Sequence, residues 1–174
     1  MDLNAYRPFL LSLYALGILV ILSAVLEPIF RFWPPNPGQV GWRFGFVGGA
    51  AAAGPGIAFG LAWLLIPALL LGHIRTVRVL SVLSVLAGLT ALGITAMFVL
   101  DSLQIRATVA AEVRRGFTMT VTRAALVWLL SSPVLLAIGL GGWGTARRRA
   151  AAGKARRNRP DQSMLVHPQP KEVG

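Results

Sequence analysis

The chain is expected to be an all-α polytopic membrane protein with four transmembrane helices. Three observations lead there: four long uncharged apolar stretches, short arginine-bearing connections between them, and a basic tail from Arg147 to Arg159. Hydrophobic residues make up 55% of the 174 positions, and they fall in runs rather than at the spacing of a surface helix. A hydrocarbon core about 30 Å thick needs roughly 20 helical residues to cross it. Uncharged runs near that length occur at Pro8 to Leu26, Phe44 to Leu71, Val79 to Leu100 and Ala124 to Gly144. Spans are placed on them at residues 8–32, 55–72, 77–100 and 118–143, within one membrane domain over 1–144, with a basic disordered tail over 145–174.

The first span opens at Arg7-Pro8, where proline in the first turn forfeits only an N–H that lacks an intrahelical partner. Its apolar core is longer than that of a cleaved signal, and Glu27-Pro28 follows without a small-x-small cleavage site, so the run is read as a span. Glu27 and Arg31 are spaced for a helical ion pair, Phe30, Phe32 and Trp33 suit a membrane interface, and Pro34-Pro35-Asn36-Pro37-Gly38 turns the chain.

The second run, Phe44 to Leu71, would extend about 42 Å as one helix. Gly54-Pro55-Gly56 offers a break, because glycine can close a helix and proline suits the first turn of the next. The expected arrangement is an interfacial or partly inserted segment from Val40 to Ala53, then a span from Pro55 to Leu71. A single kinked, tilted helix is the alternative.

In the third span Ser81, Ser84, Gly88, Ala91 and Thr95 recur at spacings of three and four and form a small-residue seam on one face. Such seams allow close backbone approach where lipid removes the hydrophobic drive for association. This helix-packing face is the candidate contact with a membrane-protein partner or a second copy. Gly45/Gly49 and Gly56/Gly60 add two further GxxxG spacings.

Asp101 to Gly116 reads as a short amphipathic helix, with Ile105, Val109 and Val113 on one side, either prolonging the third span or lying on the outer surface. In the last span, Ser131-Ser132-Pro133 should bend the helix, with serine hydroxyls serving freed backbone groups. Gly139, Gly141, Gly142 and Gly144 should weaken its end. Beyond Thr145 the composition is too poor in apolar residues to support a packed core.

Seventeen Lys+Arg against six Asp+Glu give a net charge of +11. With four crossings, both termini share a side with the connection between spans two and three. That side holds Arg7, Arg75, Arg78, Arg147, Arg148, Arg149, Lys154, Arg156, Arg157, Arg159 and Lys171, against Arg31, Arg43, Arg106, Arg114, Arg115 and Arg123 on the other. The positive-inside rule then places both termini in the cytoplasm and the protein in the cell inner membrane. Arg147, Arg148, Arg149, Lys154, Arg156, Arg157 and Arg159 are expected to contact anionic lipid headgroups. No aromatic interleaving supports nucleic-acid binding.

Chemistry is sparse. The absence of cysteine excludes disulfides and thiolate metal sites. No ionisable residue lies in the middle of a span, where one would mark an ion or substrate path. Glu27, Asp101, Arg106 and Arg123 form the candidate interfacial polar cluster, in which Asp101 or Glu27 would pair with Arg123 or Arg106. His73 ends the second span too shallowly for an axial cofactor ligand, and His167 lies in the tail. HExxH, GxxxxGK and GxSxG are all absent, so neither an enzyme nor a cofactor is expected.

Pro34 and Trp42-Arg43 before the second span, Leu100-Asp101 with Gln104 and Arg106 closing the third, and an amphipathic connection into the fourth resemble the HpsJ-like group of small bacterial membrane proteins. The resemblance spans Glu27 to Gly142. It implies an accessory role near an envelope polysaccharide or sorting system and carries over no catalytic residue. The expected function is a non-enzymatic accessory or scaffold subunit packing with partner helices. A small permease or lipid-handling protein using the Gly54-Pro55-Gly56 break is the alternative.

Overall fold

The computed structural model describes residues 6–157. They form α1 (Arg7–Arg31), α2 (Val40–Ala50), α3 (Ala53–Leu70), α4 (Ile74–Arg106) and α5 (Arg114–Arg157). The architecture is all-α, and α1, α3, α4 and α5 are each long and apolar enough to cross a membrane. At 11 residues, α2 extends only about 17 Å and is too short to do so.

The long helices pair as α1 with α3 and α4 with α5, and α3 also touches both α4 and α5. One end of the bundle, the turn end, carries the α3–α4 connection. The other, the loop end, carries α2 and the α4–α5 connection. Two apolar clusters fill the interior: Leu61, Leu64, Leu65, Ala68, Val77, Leu80 and Leu135 toward the turn end, and Ala50, Ala91, Phe98, Ala124 and Trp128 toward the loop end.

Glycines set the helix spacing. A Cβ on Gly88 would stand 2.9 Å from Leu136 Cγ and 3.1 Å from the Ser132 carbonyl oxygen. One on Gly139 would stand 2.6 Å from Val85 Cγ2 and 2.7 Å from the Ser81 carbonyl oxygen. The α4 and α5 backbones therefore touch, antiparallel, at glycine on each side. In the same way a Cβ on Gly60 would meet Ile21 at 2.5 Å and the Gly17 carbonyl oxygen at 3.1 Å, which draws α1 onto α3. Gly139 and Gly142, expected to weaken α5, lie inside this contact, and the helix runs through them unbroken.

The second apolar run is divided, but upstream of Gly54-Pro55-Gly56. Two residues, Ala51 and Ala52, separate α2 from α3, both in right-handed conformation. The cause is Pro55, which has no N–H for the Ala51 carbonyl and whose ring crowds that carbonyl. Gly54 N–H takes it instead, at 3.3 Å, in a tighter three-residue turn. Gly54 is not left-handed. Among the described residues Gly72 alone has positive φ, +70°. There the His73 N–H bonds the Ala68 carbonyl at 2.9 Å and the Gly72 N–H bonds that of Leu69 at 3.3 Å. This pattern closes a helix around a left-handed glycine.

Two expectations are corrected. Asp101 to Gly116 is not one separate amphipathic helix: its first part prolongs α4 to Arg106, one of the two placements expected, while residues 107–113 are turns and irregular chain and α5 begins at Arg114. Both the N–H and the hydroxyl of Thr108 bond the Ile105 carbonyl, at 2.9 and 2.8 Å, a local pairing that competes with helix continuation. Nor does the disordered tail begin at Thr145, since α5 extends to Arg157. Alanine and arginine are strong helix formers, and Ala146, 1% exposed, packs into the turn-end cluster. Residues 158–174 of the expected tail lie outside the described residues.

Substituting Gly139 with leucine should cost about 1–3 kcal/mol through overpacking. Gly139→Leu should therefore lower the thermal midpoint of the purified protein, whereas Gly93→Leu, with nothing within 4 Å of its Cβ position, should leave it unchanged.

Candidate functional site

The most organised polar arrangement is at the loop end, where α2 is fastened to three helices. The chain turns at Pro37-Gly38, and α2 begins with the Arg43 N–H on the Gln39 carbonyl at 3.0 Å. This brings Arg43 over the last turns of α4. Its Nε donates to Asp101 Oδ2 and its Nη2 to Asp101 Oδ1, each at 3.1 Å, while Nη1 donates to the Pro37 carbonyl at 3.0 Å. The two parallel bonds form the fork that guanidinium and carboxylate make when both are held in plane. The Asp101 side chain is only 8% exposed, against 25% for Arg43. The hydrogen bond to Asp101 raises the Arg43 pKa further above its already high ordinary value.

Aromatic rings surround the fork. Phe44 stacks on Phe98 of α4 at 5.1 Å and on Phe117 of α5 at 5.3 Å. Trp42 stacks on Phe46 at 5.0 Å, and its indole N–H donates to the Phe32 carbonyl at 2.9 Å, which ties α2 to the end of α1. The Phe32 ring lies over Gly45 and Gly49, the first GxxxG pair. From α5, the Trp128 indole N–H donates to the Val47 carbonyl at 3.1 Å. One short helix thus joins α1, α4 and α5.

The expected polar cluster does not assemble. Asp101 pairs with Arg43 and not with Arg106 or Arg123, and among the described residues this is the single ion pair. Glu27, Arg106 and Arg123 are exposed on α1, α4 and α5. Arg31 does not reach Glu27, and its guanidinium lies 5.8 Å from the centre of the Phe32 ring. Arg43 was missed because it reads as an ordinary connection cation. The available signal was two lone opposite charges, each bordering a long apolar run on the same side of the bundle.

The small-residue seam is spent within the chain. Ser81, Ser84, Gly88, Ala91 and Thr95 are all buried, and Ser81 and Gly88 lie against α5. The buried hydroxyls turn back on their own helices: Ser81 donates to Val77, Ser84 to Leu80 and Thr95 to Ala91, at 2.6–2.8 Å. In α5, Ser131 donates to Val127 and Ser132 to Trp128. The carbonyl that Pro133 frees is that of Leu129, four residues back, so these serines serve carbonyls just before it.

At the turn end Arg147, Arg148 and Arg149 are exposed, and the Arg149 guanidinium bonds the Leu69 carbonyl at the end of α3. Arg159, with the side chains of Lys154, Arg156 and Arg157, lies outside the described residues. His73 accepts or donates a 3.3 Å bond with the Tyr14 hydroxyl, linking α1 to the start of α4. Beside Pro55, an apolar groove of about 480 Å³ opens sideways between α3 and α5, lined by Ala58, Phe59, Leu130 and Val134 among others. No metal-ligand group of three or more His, Cys, Asp or Glu occurs among the described residues.

Comparison with family models, curated proteins and solved structures finds no match to this chain.

Arg43→Ala and Asp101→Ala should each lower the thermal midpoint by about 5 °C or more, since each strands a partly buried charge. The double variant should lose less than the sum of the two. Additive losses in this cycle would show the pair to be uncoupled.

Proposed function

We propose that this chain is a non-enzymatic, multi-pass inner-membrane protein acting as an accessory or scaffold subunit. The observation that carries this reading is the state of the bundle's interior. The buried hydroxyls of Ser81, Ser84, Thr95, Ser131 and Ser132 bond their own helix backbone, and the Arg43–Asp101 charges bond each other. The hydroxyl protons of the first set and both charges of the second are thus engaged within the chain. The resemblance to HpsJ-like proteins adds an envelope polysaccharide or sorting system as the setting.

With the seam of α4 committed to α5, partner packing falls to α1. Only 11% of its apolar window is buried, and its inner face is spent on α3. The basic tail and Arg75/Arg78 support cytoplasmic termini. A second reading, lipid handling, is favoured by the sideways groove beside Pro55, because discontinuous helices border binding sites in transporters.

Photocrosslinkers at Leu19 and Leu22 on the outer side of α1 should capture a partner protein or a second copy, while one at Gly88 should react only within the chain. Capture at none of the α1 positions would remove the scaffold reading. Reporter fusions after Arg75 and Gly174 should read as cytoplasmic, and those after Gly38 and Arg115 as external.

A further inference from the structure

Two shallow apolar grooves flank the first half of α5 at the loop end. One, of about 460 Å³, runs between α4 and α5 past Leu103 and Val121 to Leu129. The other, of about 430 Å³, runs along α5 past Met119 to Leu130. They share Thr118, Thr122 and Leu126, so a single ridge of side chains separates them. Arg106 lines the first groove and Arg123 the second.

The antiparallel contact of Gly88 with Ser132, and of Gly139 with Ser81, sets the register of α4 on α5. Continued along the helices, it places Arg106 level with Arg114, about one turn before Thr118, and Arg106 and Thr118 line the same groove. The two cations and the two threonines therefore fall within about two and a half helical turns at the loop end, and both grooves run from there toward mid-bundle. Thr118 donates its hydroxyl proton to the Arg114 carbonyl at 2.9 Å, and the positive charge an anion needs comes from the arginines. Both are exposed, and neither is in an ion pair among the described residues. Beyond the Arg43–Asp101 pair, this end holds Arg31, Arg106, Arg114, Arg115 and Arg123 against Glu27 and Glu112.

We propose that this ridge seats one anionic diacyl phospholipid, with its phosphate between Arg106 and Arg123 and one acyl chain in each groove. A single groove would suit any apolar partner. Two grooves that share a ridge, each with a cation near the same end, match two chains joined at one phosphate. The site is separate from the basic tail, at the opposite end of the bundle, and goes beyond the accessory reading, which the α1 crosslinks test independently.

The test uses the full chain in mild detergent, with native mass spectrometry counting retained lipid after addition of dioleoyl phosphatidylglycerol or dioleoyl phosphatidylcholine. Wild type should retain phosphatidylglycerol preferentially. Each arginine near a lipid surface contributes on the order of fivefold, so Arg106→Gln with Arg123→Gln should weaken phosphatidylglycerol retention about thirtyfold and leave phosphatidylcholine unchanged. Ala125→Phe, which fills the α4–α5 groove, should lower phosphatidylglycerol retention with both arginines in place, and Arg147→Gln with Arg148→Gln should not. Equal retention of the two lipids by wild type would overturn the proposal. So would undiminished phosphatidylglycerol on the double variant or on Ala125→Phe, loss through the tail variant alone, or release of a second protein copy in place of lipid.

Discussion

Because Gly88 and Gly139 carry no side chain, α4 and α5 approach until each glycine lies against a carbonyl of the opposite helix, Ser132 on one side and Ser81 on the other. Between apolar helices in lipid no hydrophobic gain drives association, and stability depends on the dispersion contacts that such an approach permits. The hydroxyls of Ser81, Ser84 and Ser132 allow it because they fold onto their own helix backbone and present no unsatisfied group to the interface. The α4–α5 pair is then a surface on which α3 and α2 settle: Gly54 against Ser131, Leu65 facing Gly142, Phe44 between Phe98 and Phe117.

The short α2 helix owes its separate existence to one missing N–H. Pro55 denies a partner to the Ala51 carbonyl, and the chain tightens for two residues before α3 begins. A helix freed in this way needs its own fastening, and the fork of Arg43 on Asp101, the Trp128 bond to Val47 and the Trp42 bond to Phe32 supply it. Partly buried ion pairs contribute less to net stability than to arrangement. Here the pair sets which turn of α4 receives α2.

Much of this was legible in the residues. Four apolar runs, the seam of α4 and the presence of a break near Pro55 follow from length, spacing and proline chemistry. The occupant of the seam was not legible, because small-residue spacing shows that a helix can be approached closely and carries no information on whether the neighbour belongs to the same chain. The position of the break was displaced because proline acts on the carbonyl four residues upstream. The Arg43–Asp101 pair joins positions distant in sequence, and helical wheels drawn on single segments cannot bring them together. The helical run from Thr145 to Arg157 was misread because the composition rule weighs apolar content and ignores the helix preference of alanine and arginine.

The 18 residues of α3 extend about 27 Å, and both of its ends are set by the backbone: the Pro55 joint at one, the left-handed Gly72 at the other. Its neighbours are longer and overhang it, with 33 residues in α4 and 44 in α5. Tilting cannot lengthen a helix already shorter than the slab, so in a bilayer the adjustment would fall on the lipid. A membrane with a hydrocarbon slab near 27 Å would fit α3 without strain, whereas one several ångströms thicker would have to thin around it, at fractions of a kcal/mol per Å of mismatch. The central helix would then act as a ruler, sorting the protein toward thinner membranes.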